Sequence, residues 1–363
     1  MLTLQKKYAL VISPERGPCA YVRWRQWQHL IDSSMGGECY LLVMDEPIYD
    51  EYLLSHAAIV VFARPTLEHH FNQIKHYAKL KNRFKFKLAI DLDDLLFDLD
   101  GKDTIPEYNP HPIDTIEVGK RYEEIVPLLD RVFCSTDFLA YAFCVRFGRS
   151  LVEKVDVLPN FCFTSLAWDE HRPTRKKHID VWYCGSGCHY KEGMQGDFEG
   201  PWLEGIGLSM EQGYIKFHAF GEDPGILPRG TILHEQVHAS LWLSTISHYA
   251  PDVLIAPLKN HPFNKAKSNL KGLEASAVGA ALVASIFPGS PYNSITPQLT
   301  GVLDRTTPDD IMRMFDALRD PVLRKACVRT TRHLVAQQGL VAEMKQGTDR
   351  FIHTLFKGFL EVV

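Results

Sequence analysis

The chain has 363 residues, 45% of them hydrophobic and 23% charged, and its 40 basic and 44 acidic residues leave a formal net charge of −4. The length is enough for two ordinary domains, and the composition is that of a soluble globular protein. The acidic balance disfavours a strong nucleic-acid binder, and no run reaches the roughly 18 apolar residues that span a bilayer.

The opening "MLTLQKKYALVISPERG" has an apolar run too short and too interrupted for a signal peptide, and it reads as a first buried strand. The expectation is therefore a cytoplasmic protein. Short runs rich in Val, Ile and aromatics predict strands at 8–13, 39–44, 57–63, 86–91, 131–135 and 155–160. Helical spacing fills the intervals near 21–34, 66–81, 117–129 and 136–147. Repeated strand–helix alternation argues for a parallel sheet covered on both faces. The eight cysteines are scattered, mostly in apolar runs, and read as free core thiols. Cys184 and Cys188 lack a second pair at zinc spacing.

Two stretches of this first half carry candidate chemistry. In "CAYVRWRQWQHLI" (19–31), Arg23 and Arg25 are placed to reach a phosphate, and Trp24 and Trp27 to stack on a sugar or base. The bland alternative puts the tryptophans in the core, and it is favoured for Trp27. In "KLAIDLDDLLFDLD" (87–100), Asp91, Asp93, Asp94, Asp98 and Asp100 follow an apolar run. Three chemistries want such carboxylates: a phosphatase with a nucleophilic Asp, a transferase holding a cation on an Asp-x-Asp, and a metal-free transferase with a strand-end base. Leu95 stands where the phosphatase motif wants Thr or Val. Crowded carboxylates repel, which suits one of them to base work. The alternative is that Asp91 and Asp93 only cap local turns.

The polar, proline-containing segment 163–178 reads as a linker. Alternation then restarts, with strands expected at 179–185, 214–221, 252–258 and 279–285, and helices near 200–212, 233–248, 264–278, 308–318, 320–338 and 341–359. The boundaries are a first α/β domain over 1–165, a linker over 166–178, a second over 179–344, and a last helix within 345–363. Two such halves form a cleft between facing strand ends, where open parallel sheets bind ligands. His234 and His238 are expected on one helical face, without a third ligand for a metal.

The most telling run is "LIAPLKNHPFNKAKSNLKGLEASAVGAALVAS" (254–285). A strand ends at Leu258, a polar loop follows, and a helix opens with Lys265, Lys267, Ser268 and Lys271 and carries Glu274. Helix first turns offer unpaired N–H groups and a positive dipole end. Lysines there repel that dipole, an arrangement that a bound phosphate would compensate. The alternative is a surface helix with solvated lysines.

"KSNLKGLEASAVGAALVAS" resembles the nucleotide-sugar signature of GT-B glycosyltransferases, in particular family 4 and its relatives of surface-polysaccharide synthesis. "DRVFCSTDFLAYAF" (130–143), "VLPNF" (157–161) and "VWYCGSGCHYKEG" (181–193) are similar to other segments of that family, in the same order. The resemblance implies an α/β protein of two Rossmann-like domains whose parallel sheets face each other across a cleft. It implies a retaining, metal-independent transfer of sugar from a nucleotide-diphosphate sugar, UDP-linked, to an acceptor hydroxyl. No cofactor is expected beyond that co-substrate.

Under the resemblance, Glu274 binds the ribose. The amides around Ser268, Asn269 and Leu270, with Lys267 and Lys271, hold the diphosphate. Gly185, Ser186 and His189 lie at the phosphate or donor sugar, and His189 joins Asp93 and Asp94 as a catalytic candidate. Arg23, Trp24 and Asp91 are the acceptor-side candidates. Where many members carry a second glutamate, eight positions before the first, this chain has Ala266, and Asn264 or His261 would substitute. The acceptor stays open between a saccharide or lipid-linked saccharide, a protein and a hydroxylated nucleic-acid base. Two other functions share the architecture: a sugar-nucleotide 2-epimerase and a catalytically silent nucleotide-sugar-binding protein.

Overall fold

The computed structural model describes residues 8–14, 20–34, 40–97, 114–164, 176–185, 196–198, 200–221 and 225–357. The first half builds a parallel sheet from β1 (Tyr8–Ile12), β2 (Tyr40–Met44), β3 (Ala57–Ala63), β4 (Lys87–Leu92), β5 (Arg131–Cys134) and β6 (Val155–Val157), in the order β2-β1-β3-β4-β5-β6. Central β3 reads AAIVVFA and is buried at every position, as a strand covered by helices on both faces must be. The helices are α1 (Gln26–Ser34), α2 (Glu51–His56), α3 (Glu68–Phe84), α4 (Thr115–Ile125) and α5 (Asp137–Phe147).

The second half repeats the plan with β7 (Ile179–Tyr183), α6 (Trp202–Glu211), β8 (Ile215–Phe220), β9 (Ile232–His234), α7 (Trp242–Tyr249), β10 (Val253–Ala256), α8 (Pro262–Ala266), α9 (Leu270–Val278), β11 (Ala281–Ser285) and β12 (Gly301–Val302). Its sheet order is β12-β11-β10-β7-β8-β9. Helices α10 (Pro308–Leu318), α11 (Pro321–Gln337) and α12 (Lys345–Phe356) follow. Strand order reverses between β1 and β3 in one sheet and between β7 and β10 in the other. Loops diverge at such points and leave a crevice beyond the strand ends.

Two local readings need correction. Residues 232–234 form an edge strand where helical spacing predicts a helix from 233. His234 therefore shares no helical face with His238. Its Nε2 lies 3.0 Å from His218 Nδ1 and its ring stacks on Trp182, while His238 caps a short turn before α7. The helix expected over 264–278 is two helices, broken at Lys267–Asn269.

The halves are joined through both polar and apolar contacts. Thr136 Oγ1, at the N-cap of α5, donates to the Ala266 carbonyl at 2.9 Å, and Asn160 Nδ2 donates to Ser268 Oγ at 2.7 Å. Phe263 and Ala266 of α8 belong to the apolar cluster of the first half that includes Leu139 and Phe143. Cys162 pairs with the 340–342 segment through two backbone hydrogen bonds. Helix α12 then lies against the first half, where Phe351 stacks on Trp27 at 3.9 Å and 15° and meets Phe161 edge-on. Gly347 lets the start of α12 lie close against the preceding 341–342 segment, since a Cβ there would lie 2.0 Å from the Val341 carbonyl oxygen. No helix among the described residues is long and apolar enough to cross a membrane.

Removing the Phe351 ring leaves a cavity between Trp27 and Phe161. Phe351→Ala should lower the unfolding free energy by about 3–5 kcal/mol, the usual cost of truncating a buried aromatic. Denaturant unfolding followed by tryptophan fluorescence measures it, and an unchanged midpoint would mean that α12 is not docked on this face.

Candidate functional site

On the first-half side of the crevice, the segment after β1 opens not as an α-helix but as a π turn, Tyr21–Arg25, in which the Gln26 N–H bonds to the Tyr21 carbonyl. The wider turn faces Arg23 and Trp24 inward together, next to Gln26 and Trp27. A 3.6-residue period does not anticipate this, and such turns cluster at functional sites. Arg23 is buried against Asp91 near the end of β4. Its guanidinium donates to both Asp91 oxygens, the Leu158 carbonyl and Asn160 Oδ1. Trp24 Nε1 donates to Asp91 Oδ2 at 3.0 Å.

These contacts correct the acceptor-side reading. Trp24 is 0% exposed and cannot stack on a ligand. Arg23 and Asp91 have their bonding capacity largely taken up by one another, so they form the floor of the site rather than its reaching arms. The buried pair raises the Arg23 pKa through the Asp91 charge, against the opposing pull of burial.

Above that floor sits a residue that the sequence reading did not single out. Arg64, directly after β3, has φ 48° and thus a left-handed conformation. That is unfavourable for a side-chain-bearing residue, doubly so before a proline, and strain of this kind gathers at functional positions. Its N–H donates to the Asp91 carbonyl at 2.8 Å. Its guanidinium lies 3.6 Å from Asp93 and 3.4 Å from Asp94. Asp93 Oδ1 is buried without a hydrogen-bond partner among the described residues. Arg23, Arg64, Asp91 and Asp93 line a small open pocket over this cluster. Asp98 and Asp100 lie outside the described residues.

The following turn locks Arg64 in place. Tyr122 Oη donates to the Pro65 carbonyl at 2.8 Å. His70 Nδ1 accepts from the Thr66 and Leu67 N–H groups at 3.2 and 3.3 Å, which caps α3. Burial lowers the His70 pKa to about 4, so the neutral ring that this role requires persists well below neutrality.

On the second-half side, Gly185 lies two residues past the end of β7, and a Cβ there would lie 1.9 Å from Tyr183 Oη. Ser186 and His189 lie outside the described residues. Buried Asp197, which precedes α6, accepts from the N–H of Lys259 in the loop after β10 and from Asn264 Nδ2, at 3.1 and 2.6 Å. Asn264 is 0% exposed and also bonds the Lys259 carbonyl, so it braces the loop instead of reaching into the cleft. His261 caps α8 through the Phe263 N–H, and burial lowers its pKa.

The break between α8 and α9 is the main feature of this side. Lys267 is extended and Asn269 leaves helical geometry, in keeping with the preference of Ser and Asn for caps and turns. The amides of the first turn of α9 thus begin a new helix at the crevice. Ser268 Oγ accepts from Asn160, and its own hydrogen remains to donate. Lys267 Nζ lies 4.9 Å from the Phe263 ring centre. Lys271 Nζ is 2.8 Å from Glu274 Oε2, which offsets a lysine near the positive end of the helix. Glu274 is 4% exposed, and its other oxygen accepts from Trp242 Nε1 at 3.0 Å. Trp242, on α7, carries no sequence motif and was missed. A second small pocket lies beside Glu274 between α1, α7 and α9.

No family model matches the chain, and no curated protein matches it. Solved structures do. HepE of Anabaena, crystallised with UDP-glucose, superposes with a TM-score of 0.57 at 11% identity over 98% of each chain. A glycosyltransferase from Rickettsia africae gives 0.55 at 11%, over 99% of this chain and 100% of that one. The pneumococcal O-GlcNAc transferase GtfA, crystallised with UDP and GlcNAc, gives 0.52 at 14%, over 82% of this chain and 57% of that one. At these identities the likeness is one of fold, and the fold is GT-B.

The His70 cap has a pH signature. A histidine whose folded pKa lies below its unfolded value contributes stability that is full above about pH 6.5 and lost as pH falls through about 4. Allowing for solvent screening, about 1–2 kcal/mol is at stake. His70→Gln supplies an acceptor that does not titrate. The stability of wild type relative to this variant should rise between pH 4 and 7, and a flat difference would show that His70 does not hold the turn as a neutral acceptor.

Proposed function

We propose that the chain is a glycosyltransferase that moves a sugar from a UDP-linked donor to an acceptor hydroxyl across the crevice between its halves. The observation that carries the reading is the broken helix at Lys267–Asn269. It opens a fresh helix N-terminus, flanked by Lys267, Ser268 and Lys271, at the β7/β10 reversal. The chain Ser268–Asn160–Arg23–Asp91 links that loop to the strand end on the other side. Neighbours of the same fold crystallise with UDP-glucose, or with UDP and GlcNAc.

In this reading the donor diphosphate takes hydrogen bonds from the first-turn amides of α9 and from Ser268, with Lys267 and Lys271 balancing its charge. Gly185, Ser186 and His189 border the phosphate or donor sugar. Glu274, held by Trp242 and Lys271, accepts from the ribose hydroxyls. As the bond between the anomeric carbon and the phosphate oxygen breaks, its electron pair stays with the diphosphate. Fixed dipoles and cations stabilise that charge where it develops. The acceptor oxygen bonds to the anomeric carbon, and its proton passes to Asp93 or Asp94. Asp93 Oδ1, a buried oxygen without a partner among the described residues, is an acceptor suited to a substrate hydroxyl. Arg64 fixes both carboxylates. The acceptor proposed is a saccharide, free or lipid-linked. Retention of configuration and independence from a metal belong to the same reading.

Thermal unfolding with UDP, GDP, dTDP and CMP tests the donor site. A ligand at 100 times its dissociation constant stabilises by about 2.7 kcal/mol. UDP should shift the wild type and fail to shift Glu274→Ala, and no shift from any of the four would remove the donor site.

A separate test concerns the carboxylates. Asp93→Asn or Asp94→Asn should cut transfer by about 10²–10⁴, the usual share of a positioned acid or base, with the UDP shift intact. Near-wild-type turnover in both would take that role from the pair.

A further inference from the structure

Four side chains in a row join the two halves, and every hydrogen bond among them runs outward from Arg23. Arg23 donates to the Asp91 carboxylate and, through Nη1, to Asn160 Oδ1 at 3.2 Å. Asn160 Nδ2 donates to Ser268 Oγ at 2.7 Å. Chemistry fixes that direction. A guanidinium has donors and no acceptor, so the Asn160 atom that faces it must be the oxygen. The amide NH2 then faces Ser268. Asn160 is 6% exposed, and turning it over would set NH2 against the guanidinium in the interior.

Ser268 ends the row. A hydroxyl has one hydrogen, and here the oxygen already accepts from Asn160. The hydrogen therefore points away from the amide, and no bond donated by Ser268 Oγ to a described residue is present. Ser268 stands directly before α9, whose first internal bonds run from the Gly272 and Leu273 N–H groups to the Asn269 carbonyl. The Asn269 and Leu270 N–H groups precede those bonds and belong to the open end of the helix. The hydroxyl and these amides are donors on one short stretch of chain. Bonds donated head to tail from a buried cation also polarise one another, which strengthens the last donor. The complement of such a group is an anion.

We propose that Asn160 is a positioning residue for the donor diphosphate: it holds the Ser268 hydroxyl as a donor, so that the first half sets the polarity of the anion site in the second. This rests on the donor reading above. A bond that served only to join the halves would work equally well in either direction.

Asn160→Asp reverses that one hydrogen. The carboxylate still accepts from Arg23, but its other oxygen has no hydrogen to give, and Ser268 must donate to it. The test titrates wild type, Asn160→Asp, Ser268→Ala and the double variant calorimetrically with UDP, and with uridine, which lacks phosphate. Asn160→Asp should bind UDP about ten- to a hundredfold more weakly, the value of one hydrogen bond to a charged group, and should bind uridine as the wild type does. In the Ser268→Ala background, which has no hydroxyl to turn, the same substitution should cost no more than about threefold, the residual effect of its charge. Wild-type UDP affinity in Asn160→Asp would overturn the inference. An equal fall with and without Ser268 would do the same, since charge alone would then explain it. An equal fall for uridine would also overturn it, because the seam and not the phosphate contact would have changed. Should the buried carboxylate unfold the protein, Asn160→Ala takes its place. Ser268 is then free to rotate, and UDP affinity should fall about three- to tenfold only where Ser268 is present; an unchanged affinity would again overturn the inference. Absence of UDP binding by the wild type would remove the donor reading and this inference together.

Discussion

The buried ion pair between Arg23 and Asp91 is the interaction on which the geometry of the crevice depends. Two charges removed from water are tolerable only when each meets the other and the remaining donors and lone pairs are satisfied. Here Arg23 reaches both oxygens of Asp91, a carbonyl and an amide oxygen, and Trp24 adds a further bond to the carboxylate. The pair therefore ties three separate pieces of chain: the π turn after β1, the end of β4, and the Leu158–Asn160 segment after β6. Everything nearby is aimed from these points. The backbone carbonyl of Asp91 takes the Arg64 N–H, and Asn160, held by Arg23, directs its own amide to Ser268 in the opposite half. Truncating either charge would strand the other in the interior and loosen all three pieces at once.

How much of this could be read in advance follows from which forces are local. The strands were legible because a buried parallel strand must be a short apolar run, as in "AAIVVFA" and "VLIA". The alternation of such runs with helical spacing was enough for two α/β halves, and the resemblance of "KSNLKGLE" added GT-B. What stayed hidden depends on geometry set by distant residues. A π turn and an α-helix have the same composition, so the shared inward turn of Arg23 and Trp24 was invisible, and both were read as reaching toward a ligand. Edge strand β9 has three residues and gains its identity only by pairing with β8. Trp242 matters because it meets Glu274 from a helix 32 residues away. Arg64 matters through its backbone angle, which composition does not reveal.

The alanine at position 266, where the family resemblance leads one to look for glutamate, has a structural reason. Helix α8 turns Phe263 and Ala266 into the apolar cluster of the first half, and Ala266 is 0% exposed. Its carbonyl is already bonded by Thr136. A glutamate there would carry a charge into a seam lined with apolar side chains, at a cost of several kcal/mol if unpaired. The chain uses this position to join its halves. Asn264, the nearest polar candidate on the same helix, is likewise committed to Asp197 and the Lys259 carbonyl.

Under the proposed function, that trade shifts responsibility for the donor sugar. If α8 serves the seam, the groups that recognise sugar hydroxyls must come from the loop after β7 or from the first half. The first half offers candidates: Arg64 strained over two carboxylates, with an Asp93 oxygen that has no partner among the described residues. Neither half then holds a complete site. The second supplies the anion-binding helix start, and the first supplies the carboxylates that handle hydroxyls. The polar bonds across the seam, from Thr136 and Asn160, are of a kind worth about 0.5–1.5 kcal/mol each. Bonds that weak do not fix the relative position of the halves by themselves. A ligand bonded to both would add to them, so assembly of the complete site would be coupled to occupancy of the cleft.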